Sequence, residues 1–331
     1  MPNPYISGTG FFLPPRVVTN NDLSKYMDTT DEWIQERTGI KERCYVDAGV
    51  GSSDLAIPAT EQALKAADLQ VGDIDFIIFA TSTPDFYAPG SGCLLQEKMG
   101  FNEIGALDIR VQCSGFLYGL SIAEQYIKTG VFENILLIGA EVQSTAMDLT
   151  DEGRDTAIIF GDGAGTAIIS ATEEDRGILS THMHSEGKYL KELWLESPAS
   201  NAGHPRITSE DLDKGKQYLK MNGREVFRHA ITRFPEVINE CLEKNNLTTD
   251  DIDLLIPHQA NLRITQTVQK RLGLKDDQIF SNIHKYGNTT AATIPIALSE
   301  AVNAGKISNG DIVVFAAFGS GFTWASAAIK W

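Results

Sequence analysis

The chain is short of cysteine, short of positive charge, and has no long apolar run. Its four cysteines (Cys44, Cys93, Cys113, Cys241) include no Cys-x-x-Cys pair. That spacing argues against a zinc knuckle or a secreted disulfide framework and leaves four expected free thiols. Lys and Arg number 28 against 44 Asp and Glu, a net charge of -16. Without a concentrated basic face, nucleic acid is not expected as a partner. No window approaches the roughly 18 apolar residues of a membrane span. Met1-Pro2-Asn3-Pro4-Tyr5 lacks the basic stretch and apolar run of a secretion signal, so a cytoplasmic location away from membranes is expected. His182 and His184 alternate on an expected strand with no carboxylate at ligand spacing, so no metal is expected. What remains, 42% hydrophobic and 22% charged residues over 331 positions, is an ordinary globular composition of a length that suits about two domains.

The chain repeats its own layout. Asp73-Ile74-Asp75-Phe76-Ile77-Ile78 returns as Asp251-Ile252-Asp253-Leu254-Leu255-Ile256 at a shift of 178. Gln96 to Gly100 matches Gln269 to Gly273 at 173, Cys113 meets Asn288 and Gly130 meets Gly305 at 175, and Ile135-Leu136-Leu137 meets Ile312-Val313-Val314 at 177. A period this long means two fused copies of a domain, since solenoid repeats run to roughly 20–50 residues. The expected halves are 1–172 and 177–331, joined by the polar Glu173-Glu174-Asp175-Arg176.

Each half alternates strands with helices, which predicts an α/β fold with mostly parallel sheets. In the first half, helices are expected over about 53–69, 90–99 and the stretch after Cys113, and strands over 76–80, 104–109, 135–140 and 166–170. Phe116, Leu120, Ala123 and Ile127 recur at i, i+4, i+7 and i+11, one buried helix face. Ala291, Pro295, Leu298 and Val302 reproduce that spacing at a shift of 175, with Pro295 tolerable near a first turn. Gly161-Asp162-Gly163-Ala164-Gly165 precedes a strand and not a helix, so a tight turn is expected there and not a dinucleotide loop. Pro14 to Gly51 and Ser185 to Lys220 do not repeat and are expected to be substrate-specific caps.

Cys113 falls between a strand and a helix N-terminus, whose dipole is expected to lower the thiol pKa. His258 follows the apolar run Leu254-Leu255-Ile256-Pro257, at the strand edge where open parallel sheets bind ligands. Asn288 holds the position matched to Cys113. A pseudo-twofold packing of the halves brings the three together. Cys44, Cys93 and Cys241 lack such a setting and read as ordinary thiols.

At these residues the chain resembles β-ketoacyl-acyl carrier protein (ACP) synthase III, the initiating condensing enzyme of dissociated fatty acid synthesis, which has a thiolase fold. The likeness runs nearly end to end. It is carried by Asp31-Glu32-Trp33-Ile34 with Arg37-Thr38-Gly39-Ile40, by Phe160 to Gly165, by Pro257-His258-Gln259-Ala260-Asn261-Leu262-Arg263-Ile264, by Tyr286-Gly287-Asn288-Thr289 and by Gly321-Phe322-Thr323-Trp324. The resemblance implies that Cys113 takes an acyl group from acyl-CoA. His258 and Asn288 then donate hydrogen bonds to the malonyl thioester oxygen of malonyl-ACP as it decarboxylates. Backbone N–H groups of Cys113 and Ser320 would hold the acyl oxyanion. It further implies a CoA site at Trp33, Arg37, Thr38, Arg154 and Asn261, with Trp33 and Arg154 about the adenine. ACP contacts fall at Arg224, Arg228 and Arg263, with Lys270 and Arg271 nearby, and an acyl pocket at Ala88 and Phe318. It also implies a homodimer and no metal or redox cofactor.

Three departures bear on the product. Gln112 precedes the nucleophile and Ser320 stands beside the oxyanion hole, as in members that make signalling quinolones or other secondary metabolites. Ala88 stands before Pro89, where acetyl-restricted members carry an aromatic residue, so primers longer than acetyl are expected. The alternatives are a condensing enzyme of secondary metabolism that takes a longer or aromatic primer, and a non-catalytic acyl-CoA or carrier-protein binding module. A degradative thiolase needs a second cysteine near Phe318 to Gly321, and only Cys241 lies in that half.

Overall fold

A computed structural model describes all 331 residues. Strand β1 (Asn3–Phe12) is followed by a small ribbon of β2 (Arg16–Thr19) and β3 (Glu42–Tyr45). The first half continues with β4 (Phe76–Ala80), β5 (Gly105–Ile109), β6 (Asn134–Val142) and β7 (Asp162–Thr172). The second carries β8 (Gly177–Ser185), a ribbon of β9 (Leu193–Leu195) and β10 (Leu219–Met221), then β11 (Leu254–Pro257), β12 (Ile312–Gly319) and β13 (Thr323–Lys330). One main sheet has the order β1-β7-β6-β4-β5 and the other β11-β12-β13-β8.

Two helices, Gly115–Lys128 and Thr293–Asn303, lie between the sheets, and two more cover each outer face, giving five layers. The period of two along the strands shows why. In β6, Ile135 and Leu137 join the core that holds Phe116, Leu120, Ile294 and Leu298, whereas Leu136 and Ile138 turn to the core under the outer helix Ser52–Ala67. In β12, Val313 and Phe315 face the same central core, and Val314 and Ala316 face the outer helix Gly223–Lys244. Strands buried on both faces read as unbroken apolar runs, and each such side chain contributes about 2 kcal/mol on burial. The central core draws on residues from both sides of the 173–176 joint.

Both sheets are mixed. Pairs β4–β5, β4–β6 and β11–β12 run parallel, while β1–β7, β6–β7, β12–β13 and β8–β13 run antiparallel. Antiparallel pairing exceeds what the alternation of strands and helices predicts, because no crossover helix joins β12 to β13 and three residues suffice. The expected turn at Gly161 to Gly165 is also corrected, since Asp162 to Gly165 begins β7 itself. Gly165 is required there: a Cβ would lie 2.6 Å from the Ile296 nitrogen of the central helix.

The repeat is visible in matching bonds. Asp75 Oδ2 accepts the Asn134 N–H at the head of β6, and Asp253 Oδ2 accepts the Ile312 N–H at the head of β12. Around Cys113 and Asn288, however, the register is 178 and not 175. The 3-10 turns Gln112–Ser114 and Thr290–Ala292 each open with a positive φ, +44 at Gln112 and +50 at Thr290, and each leads into a central helix. Cys113 therefore corresponds to Ala291, and Asn288 lies three residues upstream. The shift of 175 matched the helix faces because 175 and 178 differ by nearly one helical turn. Pro295 sits in the first turn of its helix, where a missing N–H is tolerated.

Candidate active site

Cys113 occupies the 3-10 turn between β5 and the helix Gly115–Lys128. The left-handed Gln112 that precedes it is strained for a non-glycine residue and marks a sharp reversal that leaves the thiol buried. Two backbone N–H groups reach the thiol, its own and that of Ser320. Room comes from Gly319, where a Cβ would lie 2.4 Å from Cys113 Cβ and 2.5 Å from Sγ. Gly319→Ala is expected to slow acylation of Cys113 by roughly 100-fold, the cost of displacing a reacting atom by about an ångström. Mass spectrometry of the acyl adduct over time measures it.

The dipole argument for a lowered thiol pKa is overturned. Burial, reinforced by the charge of Glu141, pushes Cys113 up to about 12. Cys113 sits in a 3-10 turn ahead of the helix and not in its first turn, and burial outweighs any help from the helix dipole. Glu141 itself was not visible as a site residue in the sequence. It ends up buried, with its carboxyl raised to about 7 by burial, and accepts from Thr83 Oγ1 at 2.7 Å and Ser82 Oγ at 2.8 Å.

His258 follows β11, and its N–H donates to Ala316 O at 2.8 Å, which fixes it beside β12. Its Nδ1 lies 2.6 Å from Thr293 Oγ1, and its buried Nε2 has no partner. Burial lowers its pKa to about 3, so the ring is neutral. Asn288 bridges to Phe160, with its N–H donating to Ile159 O at 2.9 Å and its carbonyl accepting from Gly161 N–H at 3.1 Å. Its Oδ1 accepts the Thr290 N–H at 2.8 Å. The side-chain amide is oriented by that bond, which leaves Nδ2 free to donate elsewhere.

Cys113, His258 and Asn288 line one cavity of about 600 Å³, with Trp33, Arg37 and Phe318 among its other walls. A second cavity of about 600 Å³ also reaches Cys113 and is lined by Tyr87, Arg110, Gln112, Trp194 and Leu195, among others. Cys113, Phe160 and Leu193 belong to both. Leu193 comes from the non-repeating segment and is tied down by a hydrogen bond from Ser320 Oγ to its carbonyl. No sequence signal singled it out.

The expected CoA residues gather at the outer end of the first cavity. Trp33 carries two guanidinium groups within cation–π range, Arg37 at 4.4 Å and Arg154 at 4.7 Å from the ring centroid. Arg154 is held by Asp28 O at 2.8 Å and does not itself line the cavity. Thr38 lines it, but its hydroxyl is engaged with Ile34 O and Ile40 N–H. Asn261 caps the helix Leu262–Leu272 and donates from Nδ2 to Arg37 O at 3.0 Å. Thr38 and Asn261 thus shape the site and hold Arg37 in it.

The structure separates the two residues expected to line an acyl pocket. Phe318 lines the first cavity together with Gly319, its ring packed on Phe322 at 4.8 Å. Ala88 is exposed and lines neither cavity of its own chain; the neighbouring Tyr87 lines the second. Of the basic residues, Arg224 and Arg263 line the mouth of the first cavity, while Arg228 pairs with Glu225 at 2.5 Å. Glu240, from a helix far away in sequence, reaches His182 at 3.2 Å and His184 at 2.6 Å, supplying the carboxylate that local spacing did not show. Cys44, Cys93, Cys113 and Cys241 are free thiols. Burial raises Cys44 and Cys241 to about 11 each.

Fold and site together define an acyltransferase of the thiolase fold, with a buried cysteine, histidine and asparagine on one cavity. Residues 107–187 match the family model described as 3-Oxoacyl-[acyl-carrier-protein (ACP)] synthase III, and residues 242–331 match the model of its C-terminal part. The β-ketoacyl-[acyl-carrier-protein] synthase III of Caldanaerobacter subterraneus subsp. tengcongensis is 46% identical, over 98% of this chain and 97% of its own. The crystal structure of the Aquifex aeolicus 3-oxoacyl-[acyl-carrier-protein] synthase III superposes with a TM-score of 0.90 at 41% identity, covering 99% of this chain and 100% of that one. The crystal structure of the Thermus thermophilus β-ketoacyl-[acyl carrier protein] synthase III gives 0.91 at 40% identity, covering 99% of each chain. The chain belongs to the β-ketoacyl-ACP synthase III family.

Proposed function

We propose that this chain condenses an acyl-CoA primer with malonyl-ACP to give β-ketoacyl-ACP, CoA and CO2, initiating fatty acid synthesis, through an acyl-Cys113 intermediate. The observation that carries the reading is the unpartnered Nε2 of His258 beside the free amide of Asn288 and the thiol of Cys113, all on one cavity.

In the first half-reaction the Cys113 sulfur adds to the thioester carbonyl, and the N–H groups of Cys113 and Ser320 hold the oxyanion. The C–S bond to CoA breaks, and the thiol proton leaves with CoA. In the second, the C–CO2 bond of the malonyl group breaks and its electrons move onto the thioester oxygen. His258 and Asn288 donate to that oxygen, an arrangement that favours the enolate over the ground-state carbonyl. The enolate carbon attacks acyl-Cys113, and the cysteine sulfur departs and regains a proton from water.

The first cavity, with Trp33 and Arg37 at its outer end, suits the nucleotide and pantetheine arm of CoA, since arginine both stacks and carries charge. Arg224 and Arg263, free of ion pairs at its mouth, would offer an acidic carrier protein a local basic rim, which the -16 net charge otherwise denies it. The second cavity would take the acyl chain. We read residues 1–172 and 177–331 as the two duplicated halves, and the protein as a cytoplasmic homodimer without metal or redox cofactor. The outer edge of β5 is unpaired. No helix is long and apolar enough to cross a membrane.

A cavity of this volume is in the range of sites that bury whole ligands, so primers of six or eight carbons are expected to be condensed at least as fast as acetyl-CoA. The test offers purified protein malonyl-ACP with acyl-CoAs of graded length and follows β-ketoacyl-ACP and CoA release. No condensation with any primer would overturn the proposal, and a strong preference for acetyl would overturn the chain-length expectation alone. The polar lining of the second cavity by Gln112 and Arg110 keeps a secondary-metabolite primer as the second reading, and the same series extended to aromatic acyl-CoAs decides it.

A further inference from the structure

His258 can help an enolate only if its Nε2 carries a proton, and a neutral imidazole has one proton to place on two nitrogens. Its Nδ1 faces a single group, the hydroxyl of Thr293, at 2.6 Å. That hydroxyl also lies 3.1 Å from Thr290 O. It has one proton, so two arrangements compete. In one, Thr293 donates to Thr290 O and accepts from Nδ1–H, which leaves Nε2 bare and unable to donate. In the other, Thr293 donates to Nδ1, and Nε2 carries the proton.

One observation selects the second arrangement. Thr290 O does not need the hydroxyl, because the backbone N–H of Thr293 already donates to it at the end of the 3-10 turn. The strained Thr290 serves the other donor as well, since its N–H holds Asn288 Oδ1 and thereby directs the amide nitrogen.

We propose that Thr293 is a positioning residue that fixes His258 as the Nε2–H tautomer, and that the turn Thr290–Thr293 orients both hydrogen-bond donors of the site. The inference rests on the condensing function above for its catalytic consequence, though not for the tautomer itself. The step it serves is the heterolysis of the malonyl C–CO2 bond, in which the electron pair moves to the thioester oxygen and the Nε2 proton stays on nitrogen.

The test compares wild type, Thr293→Val, which keeps the shape and removes the hydroxyl, and Thr293→Ser, which keeps the hydroxyl. Proton–nitrogen correlation spectra of histidine-labelled protein report which ring nitrogen is protonated. Malonyl-ACP decarboxylation and Cys113 acylation by acyl-CoA are measured separately. Wild type and Thr293→Ser are expected to show Nε2–H. Thr293→Val is expected to lose that single tautomer and to decarboxylate about 100-fold more slowly, close to the loss of one oxyanion donor, with acylation changed by no more than a few-fold. Protonation of Nδ1 in wild type would overturn the proposal, as would wild-type decarboxylation by Thr293→Val. Should Thr293→Val fail to fold, the wild-type and Thr293→Ser spectra decide the matter. An inactive wild type with the expected tautomer would instead count against the condensing function.

Discussion

Cys113→Ala is expected to abolish turnover and to leave no acyl adduct when the protein is mixed with acyl-CoA and its mass is measured. The expected loss is about a millionfold, the size seen when a nucleophile that works as part of a unit is removed. No other thiol can substitute. Cys44 and Cys241 are buried with raised pKa values, and the exposed Cys93 lies on the helix Ser91–Met99 and lines neither cavity. An adduct that persists in Cys113→Ala would reassign the nucleophile. Acylation is expected to draw on the two N–H groups that reach the Cys113 sulfur and would hold the oxyanion.

The second large effect separates the half-reactions. His258→Ala is expected to slow malonyl-ACP decarboxylation about a thousandfold, the upper end for one preorganised donor. Acylation of Cys113 should change little. The separation follows from geometry: Cys113 Sγ is served by the N–H groups of Cys113 and Ser320, whereas the free Nε2 of His258 faces the cavity through which the second substrate would arrive. Single-turnover acylation and CO2 release, measured on the same preparation, check it. Equal losses in both would place His258 in the first half-reaction as a base.

The matching layout of the two sheets was legible in the sequence because Asp75 and Asp253 do the same work at the heads of β6 and β12. That Cys113, His258 and Asn288 share one cavity was legible because motif and strand edge coincide at each. The register between the halves was not, since an error of three residues in a helix changes the apolar face by little. The thiol pKa was misjudged because a dipole is visible in a sequence and burial is not. Glu240 beside His182 and His184, and Leu193 beside Cys113, depend on contacts across long sequence separations that no local pattern encodes.

The central core, shared by both sheets, governs how the molecule is made. As the chain is synthesised, the first 172 residues carry the helix Gly115–Lys128, whose Phe116, Leu120 and Ile127 are covered in the finished protein partly by Ile294, Leu298, Val313 and Phe315. Until those later residues emerge, the stripe faces water or other chains, the condition under which large proteins misassemble. Because that core also holds Ile78 of β4, a substitution at Ile294 is expected to destabilise the packing of both sheets at once.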